Sequence, residues 1–219
     1  MTTKLCRLAV LLSGTGSTMV NLYEHIKSGE LPAEIAVVIS SRRKVLGLER
    51  AADRGIPTRV ITRRPFKKEG AFDDNAYSEA LANIIETFHV DLVVMAGFMT
   101  RIAAPLLSRY DVVNVHPALL PMFGGDGFYG HHVHEAVLNA GVKITGATVH
   151  FADLEYDHGP IIAQEAVPVH EDDTPDTLAD RVQAAERRIY PGAIALYAKG
   201  LLKREGSRVK VLKEYAGTH

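Results

Sequence analysis

Apolar and polar positions alternate in a regular order along the first half of the chain. Residues 5–12 form a largely apolar run, which is typical of a strand buried on both faces of a parallel sheet. Beyond it, Met19, Leu22, Tyr23 and Ile26 recur at the spacing of one helix face. This pattern predicts a buried strand followed by an amphipathic helix, which is the repeating unit of an α/β fold.

The same unit recurs as far as residue 115. The pattern predicts further strands at residues 35–40, 58–61, 92–96 and 112–115, with helices at residues 46–54, 71–88 and 102–110. Because strands that are joined through helices pair in parallel by right-handed crossovers, this order predicts a doubly wound, mostly parallel α/β sheet.

The order of elements changes after residue 116. A glycine-rich loop at residues 117–130 is followed by a predicted helix at residues 132–140. Residues 145–151 and 161–169 then read as two consecutive strands with only a polar loop between them. This pair predicts an antiparallel extension of the sheet in the C-terminal half.

The last part of the chain is predicted to be one long helix and a strand. Thr174 is a suitable N-cap and Pro175 a suitable first-turn residue, and the helix is expected to run to residue 199 with Pro191 as a kink or break. Residues 209–212 are predicted to form a terminal edge strand. No linker is indicated, so residues 1–219 are expected to form a single domain with halves of about residues 1–110 and 111–219.

Net charge, cysteine content and the length of apolar runs limit the binding partners and the cellular location that we expect. The formal net charge of −1 gives no basic excess for nucleic acid or for an anionic membrane. Cys6 is the single cysteine, so no internal disulfide is possible and a reducing compartment is expected. The first uninterrupted apolar run, residues 8–12, is too short for a signal sequence or a membrane span. We therefore expect a cytoplasmic protein that binds neither nucleic acid nor membranes.

The turn after the first strand, residues 14–18, carries the sequence Gly-Thr-Gly-Ser-Thr. Glycines allow a tight turn, and the N-terminus of the following helix offers free amides to an anion. The third glycine of a dinucleotide fingerprint is missing, and no acidic residue ends the second strand, where Ser40, Ser41 and Arg42 stand. The turn therefore favours a single phosphate over NAD, with a plain strand-to-helix turn as the alternative.

Asn114 and His116 lie at the carboxyl end of a predicted buried strand, where open α/β sheets bind ligands. Strand alternation directs both side chains to the same side. An amide and an imidazole in that position could stabilise a carbonyl oxygen as it becomes an oxyanion. The alternative is that loop backbone groups satisfy both side chains.

A polar loop at residues 153–160 separates the two C-terminal strands and contains three acidic residues. One of these carboxylates could pair with His116, raise its pKa and relay a proton. The loop could equally be a solvated turn.

A histidine cluster precedes the second-half helix. His131, His134 and Glu135 could share a helix face, but their spacing matches no familiar metalloenzyme pattern. His131, His132 and His134 are therefore expected to have structural or surface roles, and no metal is expected.

Seven segments together resemble one known family, and they occur in that family's order along nearly the whole chain. They are Ser13-Gly14-Thr15-Gly16-Ser17, Gly47-Leu48-Glu49-Arg50-Ala51, Ala96-Gly97-Phe98-Met99, Asn114-Val115-His116-Pro117-Ala118-Leu119-Leu120-Pro121, Gly146-Ala147-Thr148-Val149-His150-Phe151, Asp157-His158-Gly159-Pro160-Ile161-Ile162 and Glu186-Arg187-Arg188-Ile189-Tyr190-Pro191. Each segment is short, but the ordered set is specific. It resembles the phosphoribosylglycinamide formyltransferases, also called glycinamide ribonucleotide transformylases.

The resemblance implies roles for three groups of residues. The implied catalytic trio is Asn114, His116 and Asp157. The implied contacts to the nucleotide, with its phosphate on the first three residues, are Gly16, Ser17, Thr18, Gln183, Ala184, Ala185 and Glu186. The implied contacts to the folate are Phe98, Met99, Thr100, Arg101, Ile102, Asp153, Leu154, Glu155 and Tyr156.

The implied reaction moves a formyl group from 10-formyltetrahydrofolate, a co-substrate, to the amine of glycinamide ribonucleotide in de novo purine biosynthesis. It implies phosphate binding in the N-terminal half, catalysis and folate binding in the C-terminal half, no metal, and a monomer or homodimer. His116 is expected to be cationic through its pairing with Asp157 and to stabilise the oxyanion together with Asn114.

Two related activities and one distant activity are the alternatives. Another folate-dependent formyltransferase or a formyltetrahydrofolate hydrolase would share the trio, and each is disfavoured because the extra domain expected of it is not seen in the sequence. A nucleotide-binding oxidoreductase is disfavoured by the incomplete dinucleotide fingerprint.

Three departures from the family pattern concern the binding regions. Thr18 stands where many relatives have Asn, and Thr100-Arg101-Ile102 stands where relatives often have Arg-Ile-Leu. The loop at residues 123–130 is longer than the corresponding loop of relatives.

Overall fold

The fold is taken from a computed structural model that describes residues 4–68 and 70–213. The N-terminal half comprises β1 (Cys6–Leu12), α1 (Ser17–Lys27), β2 (Ala33–Ser40), α2 (Leu46–Ala52), β3 (Thr58–Val60), β4 (Lys67–Lys68), β5 (Ala71–Phe72), α3 (Asp74–Glu86), β6 (Leu92–Met95) and α4 (Ala104–Leu107). The C-terminal half comprises β7 (Val112–His116), α5 (His131–Asn139), β8 (Ile144–Phe151), β9 (Ile161–Pro168), α6 (Pro175–Ala198), β10 (Leu202–Glu205) and β11 (Arg208–Val211).

Within the described residues, nine strands form one sheet in the order β10-β11-β9-β8-β7-β6-β1-β2-β3. The pairs from β3 to β7 are all parallel, whereas β7–β8 and β8–β9 are antiparallel. The predicted mostly parallel sheet with an antiparallel extension in the C-terminal half is therefore confirmed. Strands from both halves of the chain therefore belong to this one sheet.

The C-terminal edge of the sheet differs from the prediction. The strand predicted at residues 209–212 exists as β11, but it pairs with β9 on one side and with β10 on the other. The edge strand is therefore β10, which the sequence pattern did not indicate. Its last three residues are exposed and charged, so the strand carries little apolar signal.

The helix predicted at residues 71–88 begins later than expected. Ala71 and Phe72 pair with β4 in a short hairpin, and α3 starts at Asp74. The carboxylate of Asp73 accepts a hydrogen bond from the amide of Ala76 at 2.9 Å, which caps the helix. This cap sets the boundary that periodicity alone placed too early.

The sheet is buried on both faces, as the apolar run of β1 predicted. Leu8, Val10 and Leu12 pack into the cluster that also contains residues of α1 and α6. Ala9 and Leu11 pack into a second cluster, which contains residues of α3. Successive side chains of one strand thus enter opposite layers, which is the packing of a doubly wound fold.

Helix α6 is continuous from Pro175 to Ala198, so the chain does not break at Pro191. Thr174 caps it as predicted, in a capping box with Thr177. The hydroxyl of Tyr190 donates hydrogen bonds to the carbonyls of Met95 at 2.8 Å and Val113 at 3.0 Å, which ties the helix to β6 and β7. Among residues 4–68 and 70–213, no helix has the length and apolarity needed to cross a membrane.

The topology determines where a ligand can bind. Strands β2 and β6 lie on opposite sides of β1, so the order of connections reverses at β1. Loops at the carboxyl ends of the strands diverge at such a switch point and leave a crevice between them. The loops after β1, β6 and β7 meet in this region.

Candidate active site

A cleft of about 730 Å³ occupies the crevice at the switch point. Its walls come from the loops after β1, β6 and β7, from the loop between β8 and β9, and from one face of α6. Asn114 and His116 of β7 line this cleft together with Asp157 of the β8–β9 loop, which follows His116 by 41 residues. The structure therefore brings together the three residues that the sequence singled out.

Strand β7 directs Asn114 and His116 into the cleft from the same side, as alternation predicted. Nε2 of His116 donates a hydrogen bond to the carbonyl oxygen of Phe123 at 2.7 Å. Its Nδ1 lies 3.4 Å from Oδ2 of Asp157. Both ring nitrogens of the buried imidazole therefore face an acceptor oxygen.

The glycine-rich loop after β7 holds Asp157 in place. The amide of Gly125 donates a hydrogen bond to Oδ2 of Asp157 at 3.1 Å. A Cβ on Gly124 would lie 2.5 Å from Cδ2 of Leu120 and 3.1 Å from Cβ of Asp157, so a larger residue does not fit there. Asp157 itself has a φ of 56°, a left-handed conformation that the surrounding contacts must stabilise.

Burial and hydrogen bonds set the charge of the pair. Burial raises the pKa of Asp157, but hydrogen bonding from His150, the proximity of His116 and the amide of Gly125 outweigh it, and the pKa is lowered overall. Burial lowers the pKa of His116, and the opposing effects of Asp157 and the Phe123 carbonyl are smaller. The expectation that Asp157 raises the pKa of His116 is therefore wrong, because burial outweighs both the ion pair and the hydrogen bond to Phe123.

The turn after β1 has the geometry of an anion-binding helix start. Gly16 is the N-cap of α1 with a φ of 73°, and the first turn of the helix contains no acidic residue. Ser17 and Thr18 line the cleft, as does Thr15. Gly16 is not among the lining residues, and a Cβ on it would lie 2.6 Å from the Cα of Gly47. Gly16 thus allows the turn to pack on α2 rather than to approach a ligand.

Helix α6 presents only the two ends of its predicted segment to the cleft. Gln183 and Glu186, three positions apart, line it, whereas Ala184 and Ala185 do not. Ala185 is fully buried in the core between α5, α6 and β8. The predicted ligand contacts therefore stay a prediction, which the lining of the cleft supports for Gln183 and Glu186 but not for the two alanines, since successive helix residues point in different directions. Burial raises the pKa of Glu186 to about 7.

The two segments predicted to contact folate lie against each other. Every residue from Phe98 to Ile102 and from Asp153 to Tyr156 lines the cleft. Arg101 donates a hydrogen bond to the Leu154 carbonyl at 3.3 Å, and its guanidinium lies 5.5 Å from the centre of the Tyr156 ring. Their exposed apolar side chains, Met99, Leu154 and Tyr156, leave a surface suited to a flat heterocycle.

Ser13 anchors the first of these segments to β1. Its hydroxyl accepts a hydrogen bond from the amide of Met99 at 2.9 Å, and its own amide donates to the carbonyl of Gly97 at 3.0 Å. These contacts set the direction in which the 97–102 loop leaves β6.

The histidine cluster is nearer to the cleft than expected. His131 and His134 line it, and burial lowers the pKa of His134 to about 4. Its Nδ1 is buried without a hydrogen-bond partner. Among the residues described here, no group of three or more His, Cys, Asp or Glu side chains has a geometry that could hold a metal ion.

Sequence reasoning missed several residues of the cleft. Arg42 and Arg63 are not among the predicted site residues, yet both line it. Asn21, Arg187 and His150 line it as well. For Asn21 the signal was available, since it lies one turn after Ser17 on α1; His150 could be found only from the pairing of β8 with β7, which places it opposite Asn114.

A doubly wound sheet with an amide, an imidazole and a carboxylate in a switch-point cleft is the architecture of an α/β enzyme that acts on small ligands. Residues 6–194 match the formyl transferase family, and the chain belongs to that family.

Relatives from several organisms support this membership. The phosphoribosylglycinamide formyltransferase of Escherichia coli (strain K12) is 36% identical over 199 residues, covering 90% of this chain and 89% of the relative. The trifunctional purine biosynthetic protein adenosine-3 of Homo sapiens is 40% identical over 214 residues, covering 96% of this chain but only 20% of the relative. This chain therefore spans about a fifth of the trifunctional relatives.

Solved structures agree in fold. The glycinamide ribonucleotide transformylase 1 of Symbiobacterium toebii has a TM-score of 0.88 and 39% sequence identity, with 95% of each chain covered. The phosphoribosylglycinamide formyltransferase of Coxiella burnetii has a TM-score of 0.85 and 33% identity, covering 95% of this chain and 94% of the other.

Proposed function

We propose that this protein transfers the formyl group of 10-formyltetrahydrofolate to the amine of glycinamide ribonucleotide, a step of de novo purine biosynthesis. The observation that carries the proposal is the convergence of Asn114, His116 and Asp157 in one cleft, which the start of α1 and two contacting loops also line. Relatives of similar length are named for this activity.

The acceptor would bind beside α1 and α6. The amides at the start of α1 suit a terminal phosphate, because helix N-termini stabilise anions. Positive side chains of Arg42 and Arg187 line the same cleft as Ser17 and Thr18. Gln183 and Glu186 would then face the ribose and glycinamide portion.

The folate would bind between residues 98–102 and 153–156. Its ring system would lie against the apolar side chains of these loops, and its N10 would reach towards Asn114. The residue types at Thr100 and Arg101 differ from the common family pattern, so the folate contacts are assigned to the two segments as a whole.

The trio would provide the chemistry of transfer. The acceptor nitrogen attacks the formyl carbon, and the bond from that carbon to N10 of the folate breaks. Asn114 donates a hydrogen bond to the formyl oxygen as negative charge develops. The carboxylate of Asp157, which lies beside Nδ1 of His116, takes the proton that the amine loses, and the carboxylic acid so formed returns a proton to N10 of the folate.

The remaining assignments follow from this reaction. Both substrates are small molecules, so no nucleic acid or membrane partner is required, and we place the protein in the cytoplasm as a monomer or homodimer. No step above needs a metal. The phosphate contacts come from the half before residue 110 and the catalytic trio from the half after it, so residues 1–219 would work as one domain.

The test mixes the purified protein with glycinamide ribonucleotide and 10-formyltetrahydrofolate and follows both products by mass spectrometry. We expect formylated ribonucleotide and tetrahydrofolate in equal amounts, and almost no product with the riboside that lacks the phosphate. Release of formate without an acceptor would instead identify a hydrolase. Absence of transfer, with NAD binding at the cleft, would identify an oxidoreductase.

A further inference from the structure

A patch of positive charge at the edge of the cleft is only partly used by the proposed function. It consists of six exposed side chains in the segments that follow β2 and β3, which we call the basic rim: Arg42, Arg43, Lys44, Arg63, Arg64 and Lys67. Among residues 4–68 and 70–213, no carboxylate forms an ion pair with any of the six. The basic rim is therefore an unneutralised patch with a positive potential, on a chain whose formal net charge is −1.

The sheet brings the two segments of the basic rim together. Strands β2 and β3 are parallel neighbours, and Ser40 pairs with Val60 in their register. Residues 42–44 and 63–64 therefore leave the same edge of the sheet, from strands that are about 4.8 Å apart. Arg42 and Arg63 line the cleft, whereas the other four cations do not. The basic rim thus begins in the cleft and continues onto the surface beside it.

A series of ring contacts fixes Arg63 beside one of the two segments where the folate would bind. Its guanidinium lies 4.4 Å from the centre of the Phe72 ring. The rings of Phe72 and Tyr77 have centroids 5.4 Å apart, and those of Tyr77 and Phe98 have centroids 6.5 Å apart. Because Phe98 begins the segment 98–102, this packing holds the charge of Arg63 at the folate part of the cleft.

Arg63 also differs from the other arginine beside these segments. Nη1 of Arg101 lies 3.9 Å from Oδ2 of Asp74, and Nη2 of Arg101 donates a hydrogen bond to the Leu154 carbonyl. Arg63 has no carboxylate or carbonyl partner among the residues that the structure describes. Its charge is therefore available to a ligand carboxylate.

We propose that the basic rim binds the chain of γ-linked glutamates that a folate carries at the end opposite its ring system. The inference rests on the proposed function, whose folate assignment it extends. Each additional γ-linked glutamate adds one carboxylate, so the chain presents a row of negative charges to Arg63 and then to the exposed cations beyond it. Single exposed ion pairs contribute little, but the bound ring system tethers the chain, so several weak pairs add to the affinity.

The test measures binding without turnover, by calorimetric titration with tetrahydrofolate that carries either one or five glutamates. We expect the five-glutamate form to bind the wild type about 10- to 30-fold more tightly at about 0.05 M salt, because each of four added ion pairs contributes about twofold. The difference should fall below about threefold at about 0.5 M salt, because salt screens exposed charges.

A triple variant tests the basic rim itself. Arg43→Gln/Arg64→Gln/Lys67→Gln removes three exposed charges that do not line the cleft, so the fold should be retained. We expect the one-glutamate form to bind this variant as it binds the wild type. The advantage of the five-glutamate form at low salt should fall below about threefold, because the added carboxylates lose most of their partners.

The matched control is Lys203→Gln/Arg208→Gln/Lys210→Gln, which removes the same charge from β10 and β11 at the opposite edge of the sheet. It should keep the full difference between the two folates. Equal binding of both folates by the wild type, an unchanged difference in the basic-rim variant, or the same loss in the control would overturn the inference and leave formyl transfer intact. If neither folate binds, the proposed function itself fails, and the inference fails with it.

Discussion

At the scale of single residues, the candidate site is governed by burial rather than by net charge. The pKa of His116 is lowered although a carboxylate lies beside it, and the pKa of Glu186 is raised although Arg187 follows it in sequence. In both cases desolvation of the charged form outweighs the attraction of one neighbour. The neutral forms of His116 and Glu186 are therefore favoured compared with the same residues in water.

The pair of His116 and Asp157 should be needed for turnover rather than for binding. We expect His116→Ala and Asp157→Asn each to lower kcat by at least about 100-fold, because proton transfer typically contributes about 10²- to 10⁴-fold. Nucleotide affinity should change less than about threefold. Steady-state kinetics and calorimetric titration of folded variants measure the two effects, and a near-normal kcat in either variant would remove that residue from the trio.

Glu186 should link stability to pH with a defined sign. Its pKa is about 7 in the folded protein and 4.5 as the reference, so the folded state binds more protons between these values and stability falls as pH rises through this range. Glu186→Gln should therefore increase the free energy of unfolding at pH 8 by about 1–2 kcal/mol and leave it nearly unchanged at pH 4.5. Urea unfolding at the two pH values measures this difference.

The same variant should weaken the acceptor site. Because Glu186 lines the cleft on the predicted nucleotide side, we expect Glu186→Gln to raise the KM for the ribonucleotide while stability increases. Arg188→Gln is a suitable control, since Arg188 is on the same helix, pairs with Glu165 and does not line the cleft. A gain in stability that is the same at both pH values would contradict the assignment of the raised pKa.

At the scale of elements, the turn between β1 and α1 combines two roles that belong to different residues. Gly16 provides the left-handed N-cap and lets the turn pack on Gly47, so Gly16→Val is expected to destabilise the fold and is unsuitable as a test of phosphate binding. Ser17 and Thr18 face the cleft at the start of α1. The ligand role of the turn is therefore best tested at Thr18.

Thr18→Glu should separate helix stability from phosphate binding. A carboxylate in the first turn is favourable to the helix, so we expect stability to be unchanged or higher by about 0.3–1 kcal/mol. The same charge repels a phosphate, so the KM for the ribonucleotide should rise at least about tenfold while folate affinity is unchanged. Thr18→Gln is the control, because glutamine has the size of glutamate but no charge. Equal ribonucleotide KM values for both variants would place the phosphate elsewhere.

At the scale of the whole molecule, α6 joins the two halves of the chain. It packs against α1 and against β8 and β9, and Tyr190 reaches the carbonyls of β6 and β7 through the core. Residues of α6 also line the cleft, so the element that completes the core completes the site as well.

Tyr190→Phe should lower global stability. The hydroxyl of Tyr190 is fully buried and bonds two carbonyls, so its loss leaves buried acceptors with one partner fewer. We expect a loss of about 1–3 kcal/mol in the free energy of unfolding, measured with urea. Tyr197→Phe removes a hydroxyl on the same helix from a partly exposed position and should cost less. An equal or smaller cost at Tyr190 would argue against this link.

The amino-acid sequence by itself determined most of the element order and the location of the trio. Residues 5–12 predicted a strand buried on both faces, because a continuous apolar pattern reflects which side chains leave water. The N-cap at Thr174 was predicted because capping depends on adjacent residues. The start of α3 was placed too early, because it depends on the one capping contact of Asp73. The edge strand β10 was missed, because its exposed, charged residues carry little apolar signal.

Only the tertiary structure decided the pKa of His116 and the contacts between side chains that are distant in sequence. Sequence predicted a cationic His116, but burial from several elements lowers its pKa. The pairing of β7 with β8 places His150 opposite Asn114, 36 residues away in sequence. The packing of α6 buries Ala185 in the core and leaves Gln183 facing the cleft. Local patterns predict which elements form, because they depend on near neighbours. Desolvation and cross-strand contacts depend on groups distant in sequence, and folding alone brings those groups together.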